Sequence, residues 1–225
     1  VFLYASDFLA ENLTIENAAG EGKDIGQACA ITVDGDRVAF INCRFVANQD
    51  TIYTYGKGQK QYFRSCWIEG TTDFIFGAST CWFEDCTILS KKNSYVTAAS
   101  TPENEEFGYI FNNCRLIHNE EVQKVYLGRP WRSFAKTVFI NCHLGDHILP
   151  EGWHNWNKPY AEKTAFYAEY GSKGPGAASE GERVRWSHTL KTKDLKKYTP
   201  QNVLQCGSEQ DKHGKDVKTE WYFKV

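Results

Sequence analysis

Two aspartates in this sequence have the type and spacing of a catalytic pair. Asp50 and Asp73 are 23 residues apart, and each follows a cysteine, Cys43 or Cys66, by seven residues. Two carboxyl groups that lie close together cannot both ionise cheaply, so one keeps its proton near neutral pH while the other stays charged. Such a pair can therefore divide the roles of general acid and general base.

Three further polar residues could complete this site. Gln49 directly precedes Asp50, and Gln27 lies 22 residues before Gln49. Arg129 lies in the segment YLGRPW (126–131), and a guanidinium binds a carboxylate through two parallel hydrogen bonds. Each residue alone also has a structural interpretation, because aspartates cap turns, glutamines stack inside coils and arginines cover surfaces. Their conjunction is what indicates a site.

A repeat built around cysteine must position these residues. Each copy has an apolar or aromatic pair, two mostly polar residues, a cysteine, any residue and an apolar residue. The cysteines of successive copies are 20 to 28 residues apart, and an earlier copy, LAENLTI (9–15), has Asn12 in the cysteine position. The five copies with cysteine are FINCRF (40–45), YFRSCWI (62–68), WFEDCTI (82–88), IFNNCRL (110–116) and VFINCHL (138–144).

A repeat of this length, rich in alternating β-branched and aromatic residues, predicts a parallel β-helix. No long stretch between the copies has helical periodicity, which disfavours repeats that contain helices. Each strand then pairs with the same position one coil away, at ~4.8 Å, so Asp50 and Asp73 are expected side by side. The repeated cysteines are expected inside the coil as free thiols. Disulfides are the alternative, although stacked positions give poor geometry for bridging.

The composition restricts the possible classes of protein. A chain of 225 residues suits one domain, and we expect a solenoid over residues 1–206 and a C-terminal tail over 207–225. The net charge of −2 gives no electrostatic footprint for nucleic acid or a membrane surface. No apolar run reaches the ~18 residues that a bilayer-spanning helix needs. We therefore expect neither a nucleic-acid partner nor a membrane span.

Two local features of the sequence lead to further predictions, one about a helix and one about metal binding. The segment 189–204 is expected to hold a short helix that is stopped by Pro200. His143 and His147 are four residues apart, but in a region of strands and turns this spacing does not put both on one helical face. No metal site is expected there.

Six short blocks resemble, in order along the chain, the signature segments of the pectin methylesterases, or pectinesterases. The likeness runs from about residue 5 to about residue 205 and so covers most of the chain. It implies an all-β fold, a right-handed parallel β-helix in a single domain, from which the family's N-terminal capping segment is missing. The blocks are GQACA (26–30), NQDTIY (48–53), DFIFG (73–77), LGRPW (127–131), GWHNW (152–156) and TAFYAEYGSKGPGA (164–177).

This resemblance implies an aspartyl esterase that releases methanol from methylated galacturonate units and leaves polygalacturonate. Carried onto the matching positions, it makes Asp73 the nucleophile and Asp50 the general acid and then the general base. Gln27 and Gln49 would supply the amides of an oxyanion hole. Arg129 would keep Asp73 ionised and oriented.

The resemblance also implies the surroundings of the reaction. Trp131, Phe76, Tyr53 and Phe134 would line the sugar groove, because aromatic rings suit the apolar faces of a sugar. The partner would be methylated pectin (homogalacturonan), and no cofactor or metal is expected. The family further implies a secreted or periplasmic protein that acts as a monomer.

Two other functions remain open at this point. A non-catalytic polysaccharide-binding β-helix would keep the aromatic groove but would not need the acid pair. A pectin lyase or a glycosidase on the same fold would cut the polymer. A lyase of this architecture typically uses an acidic calcium cluster, whereas only Asp50 and Asp73 converge here.

Overall fold

The computed structural model describes residues 1–179, 181–204, 208–210, 216–218 and 220–223, and it forms a parallel β-helix. Three parallel sheets run along the solenoid, and successive strands from β1 to β18 enter the three sheets in turn. Strands are numbered in chain order. The prediction of a solenoid built from strands is therefore confirmed.

The strands are short, as expected where the chain turns after every few residues. The first sheet contains β1 (Phe2–Leu3), β4 (Ile31–Val33), β7 (Ile52–Thr54), β10 (Ile75–Gly77), β13 (Tyr95–Ala99) and β16 (Tyr126–Gly128). The second contains β2 (Phe8–Glu11), β5 (Val38–Ile41), β8 (Lys60–Arg64), β11 (Thr80–Glu84), β14 (Tyr109–Asn112), β17 (Lys136–Ile140), β19 (Phe166–Tyr170) and β20 (His188–Thr189). The third contains β3 (Thr14–Glu16), β6 (Arg44–Val46), β9 (Trp67–Gly70), β12 (Thr87–Ser90), β15 (Arg115–His118) and β18 (His143–Leu144).

The same backbone conformation recurs in successive coils where the chain passes from the second sheet to the third. The residue before each of the five repeated cysteines has a positive φ of 51° to 55°, in the left-handed region. Short polar residues tolerate this conformation because their side chains hydrogen-bond locally, which explains the polar position in each copy. These residues are Asn42, Ser65, Asp85, Asn113 and Asn141.

Asn12 belongs to this turn position and not to the cysteine position, so its predicted placement was wrong by one residue. Thr14 pairs with Arg44, which places Leu13 opposite Cys43. Asn12 has a φ of 55°, is exposed, and accepts a hydrogen bond of 2.6 Å from the Asn42 amide. Its polarity therefore serves the turn and not the interior.

The repeated cysteines are buried and free, so the disulfide alternative is wrong for the described residues. Their thiols donate to backbone carbonyls of the preceding coil, as from Cys66 Sγ to Phe40 O at 3.4 Å and from Cys142 Sγ to Phe111 O at 3.4 Å. Each thiol thus fills the interior and tethers neighbouring coils. Cys206 lies outside the described residues.

A ladder of phenylalanines forms the centre of the core beside the thiols. Adjacent rings stack with centroids 4.4 to 5.1 Å apart and interplanar angles of 8° to 20°. Strand pairing puts all five rings in one register, so each coil buries an aromatic face against the next. The ladder consists of Phe40, Phe63, Phe83, Phe111 and Phe139.

The C-terminal region differs from its prediction in one detail. Pro200 begins the α-helix α1 (Pro200–Val203) and does not stop it, because proline is favoured in the first turn of a helix. Thr199 caps this helix by accepting a hydrogen bond from the Asn202 N–H. Tyr222, from the predicted tail, is 1% exposed and packs on Tyr62 with centroids 4.7 Å apart.

Short elements complete the chain around these sheets. They are the 3₁₀ helices Ala161–Lys163, Thr192–Lys196 and Trp221–Phe223, and an antiparallel pair of strands, β21 (Ser208–Gln210) and β22 (Asp216–Lys218). The division of the chain at residues 206 and 207 stays a prediction.

Candidate active site

The strand register brings the two aspartates to equivalent positions on adjacent coils. Ile52 of β7 pairs with Ile75 of β10, and Asp50 and Asp73 each lie two residues upstream. Both aspartates have positive φ values, 66° for Asp50 and 49° for Asp73. The N–H of Asp73 donates to the Tyr95 carbonyl oxygen on the next coil, at 2.8 Å. The turn before the first sheet therefore fixes both acids in the same unusual backbone conformation.

Arg129 binds one of these acids and not the other. Its Nε lies 2.9 Å from Asp73 Oδ1 and its Nη2 lies 2.6 Å from Asp73 Oδ2, which is a two-pronged ion pair. The guanidinium itself lies between two aromatic rings, 3.8 Å from the Tyr95 centroid and 3.6 Å from the Trp156 centroid. Ring faces on both sides hold its plane toward the carboxylate.

The electrostatic environment separates the two acids. Burial, with a further contribution from the charge of Asp73, raises the pKa of Asp50 to about 7, although Arg129 opposes this rise. Burial also raises the pKa of Asp73, while the hydrogen bonds and charge of Arg129 and the charge of Lys158 act in the opposite direction. Asp50 is thus poised to exchange a proton near neutral pH, and Asp73 is the acid with a paired cation.

A cavity of about 380 Å³ opens above the two acids. It is lined by all of the predicted site residues except Phe134, together with Cys29, Ala98 and Trp156. Gln27 is exposed and Gln49 is half-buried, and within the described part of the chain neither side-chain amide has a hydrogen-bond partner. Their donors are therefore available to a bound molecule.

Three aromatic side chains form one wall of this cavity. Tyr53 and Phe76 occupy paired positions and stack with centroids 4.3 Å apart and planes 12° from parallel. The Trp131 ring lies against both, at 6.0 Å from Tyr53 and 5.7 Å from Phe76. Tyr53 and Trp131 also line a neighbouring open groove of about 920 Å³, where Phe134 lies. The cavity and this groove therefore share two lining rings, Tyr53 and Trp131.

The sequence did not predict three residues that contribute to this site. Tyr95 follows Asp73 by 22 residues, about one coil, so counting one further repeat would have found it. Trp156 and Lys158 lie in the last coils, where no repeat copy marks a register. Lys158 Nζ donates to the carbonyl oxygens of Pro130 and Trp131, at 3.2 and 3.1 Å, and so supports the segment that carries Arg129.

Comparison with known proteins places the chain in a family context. The Pectinesterase family model matches residues 1–207. Among curated proteins, Pectinesterase 31 of Arabidopsis thaliana is 44% identical over 191 residues, which are 84% of this chain and 59% of that protein. Pectinesterase/pectinesterase inhibitor U1 of Solanum lycopersicum is 36% identical over 219 residues, covering 91% of this chain and 37% of that protein. The chain therefore spans about three fifths or less of these relatives.

Solved structures resemble the chain over most of its length. The pectin methylesterase from carrot matches with a TM-score of 0.83 and 32% identity, over 91% of this chain and 67% of that one. The pectin methylesterase PemA from Erwinia chrysanthemi matches with a TM-score of 0.74 and 30% identity, over 90% of this chain and 71% of that one. The fold is the right-handed parallel β-helix that the sequence predicted.

Proposed function

Because the chain belongs to the pectinesterase family, we propose that it hydrolyses the methyl esters of galacturonate units in pectin and releases methanol. The observation that carries this proposal is the asymmetric acid pair. Asp73 is held by Arg129 through two hydrogen bonds, beside Asp50 whose pKa is raised to about 7. One acid thus has the features of a nucleophile and the other those of a proton donor.

The first half of the reaction transfers the acyl group to the protein. A carboxylate oxygen of Asp73 attacks the ester carbonyl carbon, and the oxyanion that forms accepts hydrogen bonds from the amides of Gln27 and Gln49. Collapse of this intermediate breaks the bond to the methoxy oxygen. Asp50 gives its proton to that oxygen, so methanol leaves and a mixed anhydride with Asp73 remains.

The second half restores the protein. Asp50, now ionised, takes a proton from a water molecule that attacks the galacturonate carbonyl of the anhydride. The bond to Asp73 breaks, which frees the galacturonate carboxyl group and returns Asp73 to its ionised state beside Arg129. Asp50 ends protonated, ready for the next ester. No group other than these side chains and water is needed to balance the reaction.

The aromatic wall supports a sugar polymer as the substrate. Tyr53, Phe76 and Trp131 offer ring faces to the apolar face of a galacturonate unit, and Phe134 extends this surface into the groove. An open groove accommodates a polymer better than an enclosed pocket does. A related pectin methylesterase has been solved with a hexasaccharide bound, which supports the same class of ligand here.

We infer a secreted or periplasmic location and action as a monomer. A related pectin methylesterase from Aspergillus niger has been solved with an N-acetylglucosamine stub on an asparagine, and N-glycosylated sites are surface loops of secreted proteins. Among the described residues, no helix has the length and apolarity to cross a bilayer.

The decisive assay follows methanol and polymer length together on highly methylated pectin. We expect methanol to accumulate while the length of the polymer stays unchanged, because only the ester bond is cut. Shortening of the polymer would instead favour a lyase or a glycosidase. Calorimetric binding of pectin without methanol release would favour a non-catalytic binding protein.

A further inference from the structure

Three side chains outside the active site converge on one point. His118, Asp146 and His147 each offer a ligating atom, and these atoms all lie within 4.8 Å of one another. None of the three lines the active-site cavity. Among the described residues, these three side chains form the group of metal-ligating residues that lie close enough together to hold one metal ion.

The solenoid repeat creates this convergence. His118 ends β15, and Asp146 lies 28 residues later, the same offset that separates Cys114 from Cys142. Pairing between β15 and β18 covers only Arg115 with His143 and Leu116 with Leu144, after which the chain leaves the ladder. His118 and Asp146 therefore face each other between this pairing and the bridge of Val125 with Ile148, where the same two coils pair again.

The tautomer of His118 makes its second nitrogen available. Its Nδ1 lies 2.8 Å from the Asn119 carbonyl oxygen, which can only accept, so Nδ1 carries the proton and donates. Its Nε2 lies 2.8 Å from Asp146 Oδ1. This contact brings one nitrogen and one oxygen ligand to the same point. A carbonyl partner on the far nitrogen is the usual support of a metal-binding histidine.

The environment of His147 gives a second reason to expect a ligand at this point. Its residue is 1% exposed, and neither ring nitrogen has a hydrogen-bond partner within the described part of the chain. An unpartnered buried imidazole nitrogen is costly, because it has lost water without gaining another partner. Its ring centroid lies 4.5 Å from that of His118, so a ligand of one ring is within reach of the other.

We propose that His118, Asp146 and His147 bind a Zn²⁺ ion that joins two successive coils of the solenoid. Two imidazole nitrogens and one carboxylate oxygen match the ligand preference of Zn²⁺, and water completes the tetrahedron. Hard cations such as Ca²⁺ prefer six to eight oxygen ligands and do not suit this set. The ion would add a link between the two coils in the stretch between these backbone pairings, which is a structural role and does not depend on the proposed esterase activity.

The test is calorimetric titration of ZnCl₂ into the protein after dialysis against EDTA, with CaCl₂ titrated in parallel. We expect one equivalent of Zn²⁺ and no saturable binding of Ca²⁺. At a hundredfold excess over the dissociation constant, Zn²⁺ should raise the thermal midpoint by about 5–10 °C. Absence of saturable Zn²⁺ binding to the wild-type protein would overturn the proposal.

Matched variants identify the ligands. Asp146→Asn and His118→Gln should each weaken Zn²⁺ binding at least about tenfold. The Asp146 side chain is 71% exposed, so its variant should keep the fold. His143→Gln is the control, because His143 is exposed and lies outside the cluster, and its binding should match the wild type. Undiminished binding in both ligand variants would also overturn the proposal. Asp73→Asn should bind Zn²⁺ normally, which separates this result from the outcome of the esterase assay.

Discussion

At the scale of the residue, equivalent positions have acquired different chemistry through their partners. Asp50 and Asp73 share a register and a left-handed backbone, yet only Asp73 receives the guanidinium of Arg129. Asp50 is left with burial and the charge of its neighbour, and both of these disfavour its ionised form. The division of roles in the proposed mechanism follows from this difference.

The raised pKa of Asp50 predicts a cost in stability that depends on pH. The usual pKa of an aspartate, 3.8, applies to the unfolded chain, whereas the folded value is about 7. The folded protein therefore binds an extra proton between these values, so its stability should fall as pH rises from about 4 to about 7. Asp50→Asn removes this dependence and should gain up to about 3 kcal/mol relative to wild type on going from pH 4.5 to pH 8, and less to the extent that solvent screens the charge. Urea unfolding of both proteins measures this gain, and a difference independent of pH would contradict it.

Arg129→Lys should show how much the two-pronged contact contributes. Lysine keeps the charge but loses the planar fork and the stacking between Tyr95 and Trp156. We expect kcat for methanol release to fall about 10²-fold and the acidic limb of the pH profile to move to higher pH, because Asp73 becomes harder to ionise. Arg115→Lys, at an exposed position on β15, is the control and should be near wild type. An unshifted acidic limb would argue against a role for Arg129 in the ionisation of Asp73.

At the scale of the element, stacking between coils explains both the fold and the precision of the site. Paired strands carry the phenylalanine ladder on one sheet and the Tyr53–Phe76 stack on another. Pairing between successive coils thus aligns the rings of the core and also sets the spacing of the two acids. Damage to the ladder should first lower the stability of the solenoid.

Phe83→Ala tests the contribution of this ladder. Phe83 is fully buried and stacks on Phe63 at 4.7 Å and on Phe111 at 4.4 Å. Its truncation should lower the free energy of unfolding by about 3–5 kcal/mol, since it removes transfer energy and leaves a cavity. Denaturant unfolding measures this loss. Tyr160→Ala, at a position 60% exposed, should change stability by less than about 0.5 kcal/mol, and an equal loss in both variants would contradict the account.

The sequence predicted those parts of the fold and site that the repeat controls. Counting from the cysteines was enough to bring Asp50 beside Asp73, because each aspartate follows its cysteine by the same seven residues. The same counting misplaced Asn12 by one residue, because this early copy has no cysteine to mark the register, and Asn12 occupies the left-handed position that precedes it. Trp156 was not predicted to stack on Arg129, because the last coils have no repeat copy from which to count.

At the scale of the whole molecule, the solenoid places functions along its length. The proposed esterase site draws on consecutive coils of the first sheet, and the proposed zinc cluster joins β15 to the loop after β18. Tyr222, near the C-terminal end of the chain, packs onto Tyr62 of the second sheet. Each site thus depends on a few neighbouring coils, as expected for an architecture in which each coil contacts only its neighbours.

The most direct test of the account is methanol release by the wild-type protein and by Asp73→Asn, assayed on highly methylated pectin. Far-UV circular dichroism of both samples controls for folding. If Asp73 is the nucleophile, the variant should keep the fold and lose activity by about 10³-fold or more. A folded variant that releases methanol within tenfold of the wild-type rate would contradict the proposed mechanism.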